Sequence, residues 1–147
     1  MEGATRLLMQ RYGTKVYGYC RQQLRDATLA EDVNQVVFAQ AFAALPKFDR
    51  KSTVRTWLYS IAHHRVLDAI KARRRQHKHL DGRPVDKNQP DDRLSPGEKI
   101  DETRLLAALA DCLQRLPSEV RTAVLLRYQA GLSFEEMAKV LGVRAGT

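Results

Sequence analysis

Nine lysines and arginines lie between Arg50 and Lys78, with Asp68 as the only acid among them. A solvated helix face mixes both signs, so a run this one-sided reads as a footprint for phosphates. Lys51, Arg55, Arg65, Lys71, Arg73, Arg74 and Arg75 carry it, with Lys47 just upstream. Phe48, Trp57 and Tyr59 are interleaved with these cations. Other chemistry is poorly provided for. His64 and Asp68 stand one helical turn apart and could pass a proton. No nucleophile, glycine-rich phosphate loop or metal set accompanies them, so no enzyme activity is expected. His63, His64, His77 and His79 have no cysteine or acid at zinc-like spacing, so neither metal nor cofactor is expected. Cys20 and Cys112 cannot make a disulfide framework, and each is read as a reduced, buried thiol.

The elements that must position these residues are helical. The chain has 147 residues, with 25 Lys+Arg against 17 Asp+Glu, a net +8. Residues 1–80 carry +9, residues 81–100 carry −1, and residues 101–147 are neutral. No apolar run reaches the roughly 18 residues of a membrane span, so no membrane insertion is expected. The N-terminal residues show no signal-peptide pattern, and a reducing, cytoplasmic location is expected. Leu8, Tyr12, Val16, Tyr19 and Cys20 recur at three- and four-residue steps, predicting a helix over about 5–25. Val33, Val36, Val37, Phe38, Ala41 and Phe42 predict a second over 29–45, with Thr28 as N-cap and Glu31 completing a capping box. Pro46 ends it. Lys47–Ser52 reads as a loop, and Ser52 or Thr53 can cap a long third helix through Trp57, Leu58, Ile61, Ala62, Val66, Leu67 and Ile70. Trp57 shares the apolar face of that helix with Ile61, which places it in packing. Residues 76–97, with three prolines and two glycines, read as an extended linker. Helices resume near Ile100 with the stripe Leu105, Leu106, Leu109, Leu113 and Leu116. Pro117 stops it, and Ser118 is a candidate cap for the next. No strand-like alternation and no internal repeat are present.

The last helix is short. Ser133 and Glu136 form a capping box, and Gly142 closes it four residues after Ala138. A small residue at a helix crossing followed by a residue that tolerates a positive φ suits a helix-turn-helix. Arg144–Thr147 would be the turn and first residues of its second helix, the one that enters the major groove. The presented chain is therefore expected to be cut short within this motif.

These stretches resemble the extracytoplasmic-function group of bacterial sigma factors. LAEDVNQVVFAQAF (29–42) is similar to the family's core-binding helix. STVRTWLYSIAHHRVLDAIKARRR (52–75) is similar to its promoter −10 region, and LQRLPSEVRTAVLLRYQAGLSFEEMAKVLGVRAGT (113–147) to its second domain. The resemblance implies an all-α chain with two small domains. Residues 1–76 would bind polymerase and melt the −10 element, 77–99 would be a linker, and 100–147 would bind the −35 element. It implies an alternative sigma factor, a dissociable RNA polymerase subunit that directs promoter-specific initiation.

By the same resemblance, Asp32, Gln35 and Phe38, at steps of three, would share a face toward the clamp helices of the largest polymerase subunit, with Phe42 adding apolar contact. Helical spacing equally allows both phenylalanines to be core. The second domain would meet the polymerase flap. Lys47, Phe48, Asp49, Lys51, Ser52, Arg55, Tyr59, His63, His64, Arg65, Lys71, Arg73, Arg74 and Arg75 would meet promoter DNA, with Arg144 in the second domain. Two departures stand out: Val36 replaces an acid common after the glutamine, and His64 stands where an asparagine is frequent. An anti-sigma partner is expected. The alternative is a sigma-like interaction module that binds polymerase or anti-sigma without reading DNA.

Overall fold

The computed structural model describes residues 2–79 and 101–143. Among them every regular element is helical, as expected. α1 spans Glu2–Leu24, α2 Ala27–Ala44, α3 Val54–His79, α4 Glu102–Arg115, α5 Ser118–Val124 and α6 Phe134–Leu141. A 3-10 turn, Leu45–Lys47, follows α2, and a π-helical turn, Leu125–Gln129, follows α5. α3 runs through 77–79, the first residues of the expected linker. The rest of that linker, and Arg144, lie outside the described residues.

The first three helices pack because each has one apolar stripe. Leu8, Tyr12, Val16, Tyr19, Cys20 and Leu24 of α1 meet Ala30, Val33, Val37, Phe38 and Ala41 of α2. Leu58, Tyr59, Ile61, Ala62 and Val66 of α3 complete the core. A buried side chain of this size contributes roughly 1.5–3 kcal/mol, so about a dozen of them define the fold.

Local chemistry sets the helix ends, with two departures from expectation. α2 is capped by Asp26, whose carboxylate accepts from Leu29 N at 3.1 Å, and not by Thr28, which falls inside the first turn. Arg25, with φ 59°, makes the left-handed step between α1 and α2. Ser118 is not a cap either: Pro117 precedes α5, and the Ser118 carbonyl accepts from the Thr122 hydroxyl at 2.9 Å. Thr53 caps α3, accepting from Thr56 N at 3.1 Å. Ser133 and Glu136 form the expected reciprocal box on α6, and Gly142 ends that helix at φ 70°.

The second helical group packs against the first. α6 packs against α3, while α4 and α5 touch α1. Leu125, Leu126, Leu132, Met137 and Val140 join the same continuous apolar cluster as α1–α3. α4 departs from the expected buried stripe: Leu105, Leu106 and Leu109 are exposed, and Leu113 alone of its leucines packs on the core.

Candidate nucleic-acid and polymerase interface

The loop before α3 opens the candidate DNA face. Lys47, Asp49, Arg50 and Lys51 are exposed, and Ser52 is half-buried. Asp49 Oδ1 accepts from Lys51 N at 3.0 Å, a side-chain turn that folds the loop back on itself. Arg50 holds φ 62°, a left-handed conformation uncommon for a long side chain. Phe48 is half-buried and packs at 5.0 Å between ring centroids on Trp57, which itself leans on the core as expected. Along α3, His64, Lys71, Arg74, Arg75 and His77 are exposed, with Arg55 and Arg65 half-buried. The Arg65 Nε–H donates to Gln40 Oε1 at 2.6 Å, pinning that guanidinium across α2 and α3. His64 Nδ1 is 2.7 Å from the Ser60 carbonyl, one turn back.

Three residues expected on this face are turned elsewhere. Tyr59 is 1 % exposed and His63 is 8 % exposed, both within the core. Arg73 donates to the Leu24 carbonyl at 2.8 Å, and so satisfies the C-terminal end of α1. The cause is helical geometry: the basic run is continuous in sequence, but a helix turns about 100° per residue, so one face of the run must go inward.

The α2 face shows the same sorting. Asp32 and Gln35 are exposed. Phe38 is 1 % exposed and belongs to the core. Each three-residue step falls about 60° short of a full turn, so two steps carry Phe38 about 120° round from Asp32. Phe42 is half-buried against Phe38, with centroids 5.9 Å apart. Val36, 45 % exposed, takes the outward place one turn after Asp32. Beside them lies a cleft of about 420 Å³ between α1 and α2, lined by Met9, Gly13, Thr14, Tyr17, Glu31, Asn34 and Gln35.

A set of polar residues that the sequence did not single out bridges the two helical groups. Gln23 of α1 uses all its capacity: its amide donates to Tyr19 Oη at 3.2 Å and Thr122 Oγ1 at 2.7 Å, and its carbonyl accepts from Arg121 at 3.2 Å. The Tyr19 hydroxyl in turn shares a hydrogen bond with His63 Nδ1 at 3.2 Å. Burial pushes the Tyr19 phenol up, and it holds His63 below its ordinary value, with His64 adding to the effect. Gln129 accepts from the Tyr59 hydroxyl at 3.2 Å and donates to the Lys15 carbonyl at 2.6 Å. The Gln114 amide donates to the Gln22 carbonyl. Glu136 reaches across to Thr56 at 2.7 Å.

The known proteins similar to this chain decide its family. Sigma-70 region 2 matches residues 8–76, and Sigma-70, region 4 matches residues 106–147. The RNA polymerase sigma-H factor of Pseudomonas aeruginosa is 33% identical over 147 residues, covering 96% of this chain and 76% of that protein. This chain belongs to the extracytoplasmic-function (ECF) group of the sigma-70 family. The ECF RNA polymerase sigma factor SigW of Bacillus subtilis is 27% identical, over 92% of this chain and 76% of that one. The fold matches the sigma factor RpoE in its complex with the anti-sigma factor NepR from Bartonella quintana, with TM-score 0.78 and 20% identity over 96% of this chain and 84% of that one. CnrH, in complex with the cytosolic domain of CnrY, matches with TM-score 0.67 and 25% identity over 99% of this chain and 77% of that one.

Sigma factors are non-catalytic transcription initiation factors, which fits the reading of this chain as other than an enzyme. Cys20 is buried, and burial pushes its thiol up to about 12, far from the reactive thiolate range. Cys112 differs from expectation: it is exposed on α4. No helix among the described residues is long and apolar enough to cross a membrane.

Proposed function

We propose that this sigma factor directs polymerase to promoters through two separate outward faces of its N-terminal domain, residues 1–76. Asp32 and Gln35 on α2 meet the clamp helices of the largest polymerase subunit: Asp32 pairs with a cation there, and Gln35 hydrogen-bonds. The loop Lys47–Ser52 and the outer face of α3, through Arg55, His64, Arg65, Lys71, Arg74 and Arg75, meet the −10 element as it opens. Phe48, held against Trp57 at the loop, is the ring placed to receive an unstacked base. The domain over 100–147 binds the −35 element and the polymerase flap. An anti-sigma protein holds the factor inactive; RpoE, whose fold this chain shares, is found in complex with the anti-sigma factor NepR. The cell compartment of this work is the cytoplasm.

The observation that carries this reading is the exposed cationic face from Lys47 to Arg75, lying within a chain that both sigma-70 regions match. Phosphates supply most of the affinity such a face can gain, and sequence choice falls to the loop, where bases can be read. The test is in-vitro transcription with polymerase core and this factor across a promoter library. A promoter-dependent set of transcripts is expected; none across the library would remove the reading.

A further inference from the structure

One exposed side chain on the outer face of α3 is chemically unlike its neighbours. Lys71, Arg74 and Arg75 are exposed there and can only donate hydrogen bonds, as can the half-buried Arg55 and Arg65. His64 is exposed among them, and its Nδ1 lies 2.7 Å from the Ser60 carbonyl oxygen. That oxygen has lone pairs and no hydrogen, so the hydrogen in this bond belongs to Nδ1. The one N–H of the neutral ring is thereby used, and Nε2 is left as a bare acceptor. Nothing in the protein takes it up. Among the described residues no donor reaches Nε2, and Asp68, one turn further on, faces Arg65 at 4.0 Å. The ring is also held from behind, where the buried His63 imidazole meets it at 67° with centroids 5.8 Å apart. His64 therefore offers a lone pair from a ring anchored on two sides, on a face otherwise made of donors.

We propose that His64 is a base reader, and that it accepts a hydrogen bond from the exocyclic amino group of an adenine or a cytosine in the −10 element. This rests on the assignment of the outer face of α3 to that element, and adds a reader on the helix to the one at the loop. The backbone of DNA cannot satisfy Nε2, because phosphate and deoxyribose oxygens along the strand only accept. The donors of DNA belong to its bases. Adenine N6 and cytosine N4 present theirs on the major-groove edge while paired and keep them after opening; guanine and thymine present only acceptors on that edge. No lysine or arginine could take the same role, since neither has an acceptor. Helix geometry also gives a spacing. Trp57 and His64 are seven residues apart, close to two full turns, so they share a side of α3 about 10 Å apart along its axis. With the unstacked base on Phe48, which packs on Trp57, the amino-bearing base stands about three nucleotides away at about 3.4 Å per nucleotide.

The test uses polymerase core with the full chain and a labelled DNA fork with an open −10 segment, at pH 8, where imidazole is neutral. Each adenine in and beside the open segment is replaced in turn by unsubstituted purine, and each cytosine by 2-pyrimidinone. Either change deletes the amino group and leaves the ring. Anisotropy of the fork reads the affinity. One of these deletions is expected to weaken wild-type binding about fivefold, the worth of one hydrogen bond, and to have no effect on H64K, which keeps a donor for phosphate and has no acceptor. Arg74→Ala reports separately on whether the face touches DNA. If Arg74→Ala weakens binding while no amino deletion does, or if H64K responds to every deletion as wild type does, His64 is not a reader and the proposal alone falls. If neither Arg74→Ala nor H64K changes binding to any fork, α3 does not lie on the DNA, and the assignment beneath the proposal falls with it.

Discussion

The α1–α2–α3 core and the seam that joins it to α4–α6 are built from different materials. The core closes on Val16, Leu24, Val37 and Leu58, all fully buried. The seam also contains apolar packing, but its named cross-links are Gln23 to Thr122, Gln129 to Lys15, and Glu136 to Thr56. Apolar burial returns its free energy only when the surface stays dry, so a core of this kind stays closed through the working life of the protein. A hydrogen bond exchanged for water contributes only about 1 kcal/mol net, so these links add less to the seam than the apolar cluster that Leu126, Leu132 and Val140 share with α1–α3. The contrast separates contacts that define the fold from contacts that add to it and set how the two groups meet.

The sharpest way to break the contrast is to move a residue from one class to the other. Phe38→Ala empties a fully buried site and is expected to lower stability by about 3–5 kcal/mol. Chemical denaturation measures it. Polymerase affinity of the fraction that stays folded should be unchanged, because Phe38 faces inward; a specific loss of binding at full stability would return it to the interface.

Gln23→Ala comes next, because Gln23 serves both regions. Its loss leaves Tyr19 and Thr122 each short of a partner and leaves Arg121, which is itself held below its ordinary value by burial and by Arg25, with its bond to Gln114 alone. A cost of about 1–3 kcal/mol is expected, seen in denaturation together with expansion in scattering. Expansion without loss of stability would show that the seam carries no weight in folding.

The asymmetry also decides what could be read ahead of the structure. The three core helices were legible because their stripes repeat every three or four residues, as in Leu8, Tyr12, Val16 and Tyr19. The capping box at Ser133 and Glu136 was legible for the same local reason. The seam was not: Gln129 and Lys15 lie 114 positions apart, and Gln23 and Thr122 lie 99 apart. Nothing in a glutamine's neighbours announces so distant a partner. The candidate site falls between these cases. The loop and the cationic helix were visible as composition, but which cations point outward depends on packing, and Tyr59, His63 and Arg73 turn away from the DNA face. Phe38 turns inward because two steps of three do not keep one face.

Asp32→Ala tests the outward side of α2. The side chain is exposed and makes no contact that the fold depends on, so stability should stay within about 0.5 kcal/mol. Affinity for polymerase core should fall about tenfold, the worth of one charge-assisted contact of about 1.4 kcal/mol. Equal affinity would move the polymerase contact to the α1–α2 cleft near Asn34, whose Oδ1 is buried there without a partner.

Arg74→Ala and Arg75→Ala each remove one exposed cation beyond the reach of the seam. Each should weaken binding to any promoter by a similar factor and lower the slope of log affinity against log salt by about 1. A loss confined to one promoter sequence would make that arginine a base reader.

The smallest effect isolates one contact across the seam, that of Glu136 with Thr56. The backbone bond from Ser133 and the hydroxyl of Thr56 hold the Glu136 carboxyl at about 2, below its ordinary 4.5. A depressed folded value means the unfolded chain takes up the proton first. The stabilisation from Glu136 is therefore complete above about pH 4.5 and is lost as pH falls from there through about 2. The cations that line the same cleft are Arg50 and Lys51 from the loop and Lys139 from α6. Other carboxylates of the chain titrate there too, so wild type alone cannot report it. The difference in Tm between wild type and E136Q can: it should be constant from pH 7 to 5, shrink below 4.5 and vanish near 2. A difference that persists unchanged at pH 2 would mean that Glu136 acts across the seam through shape rather than charge.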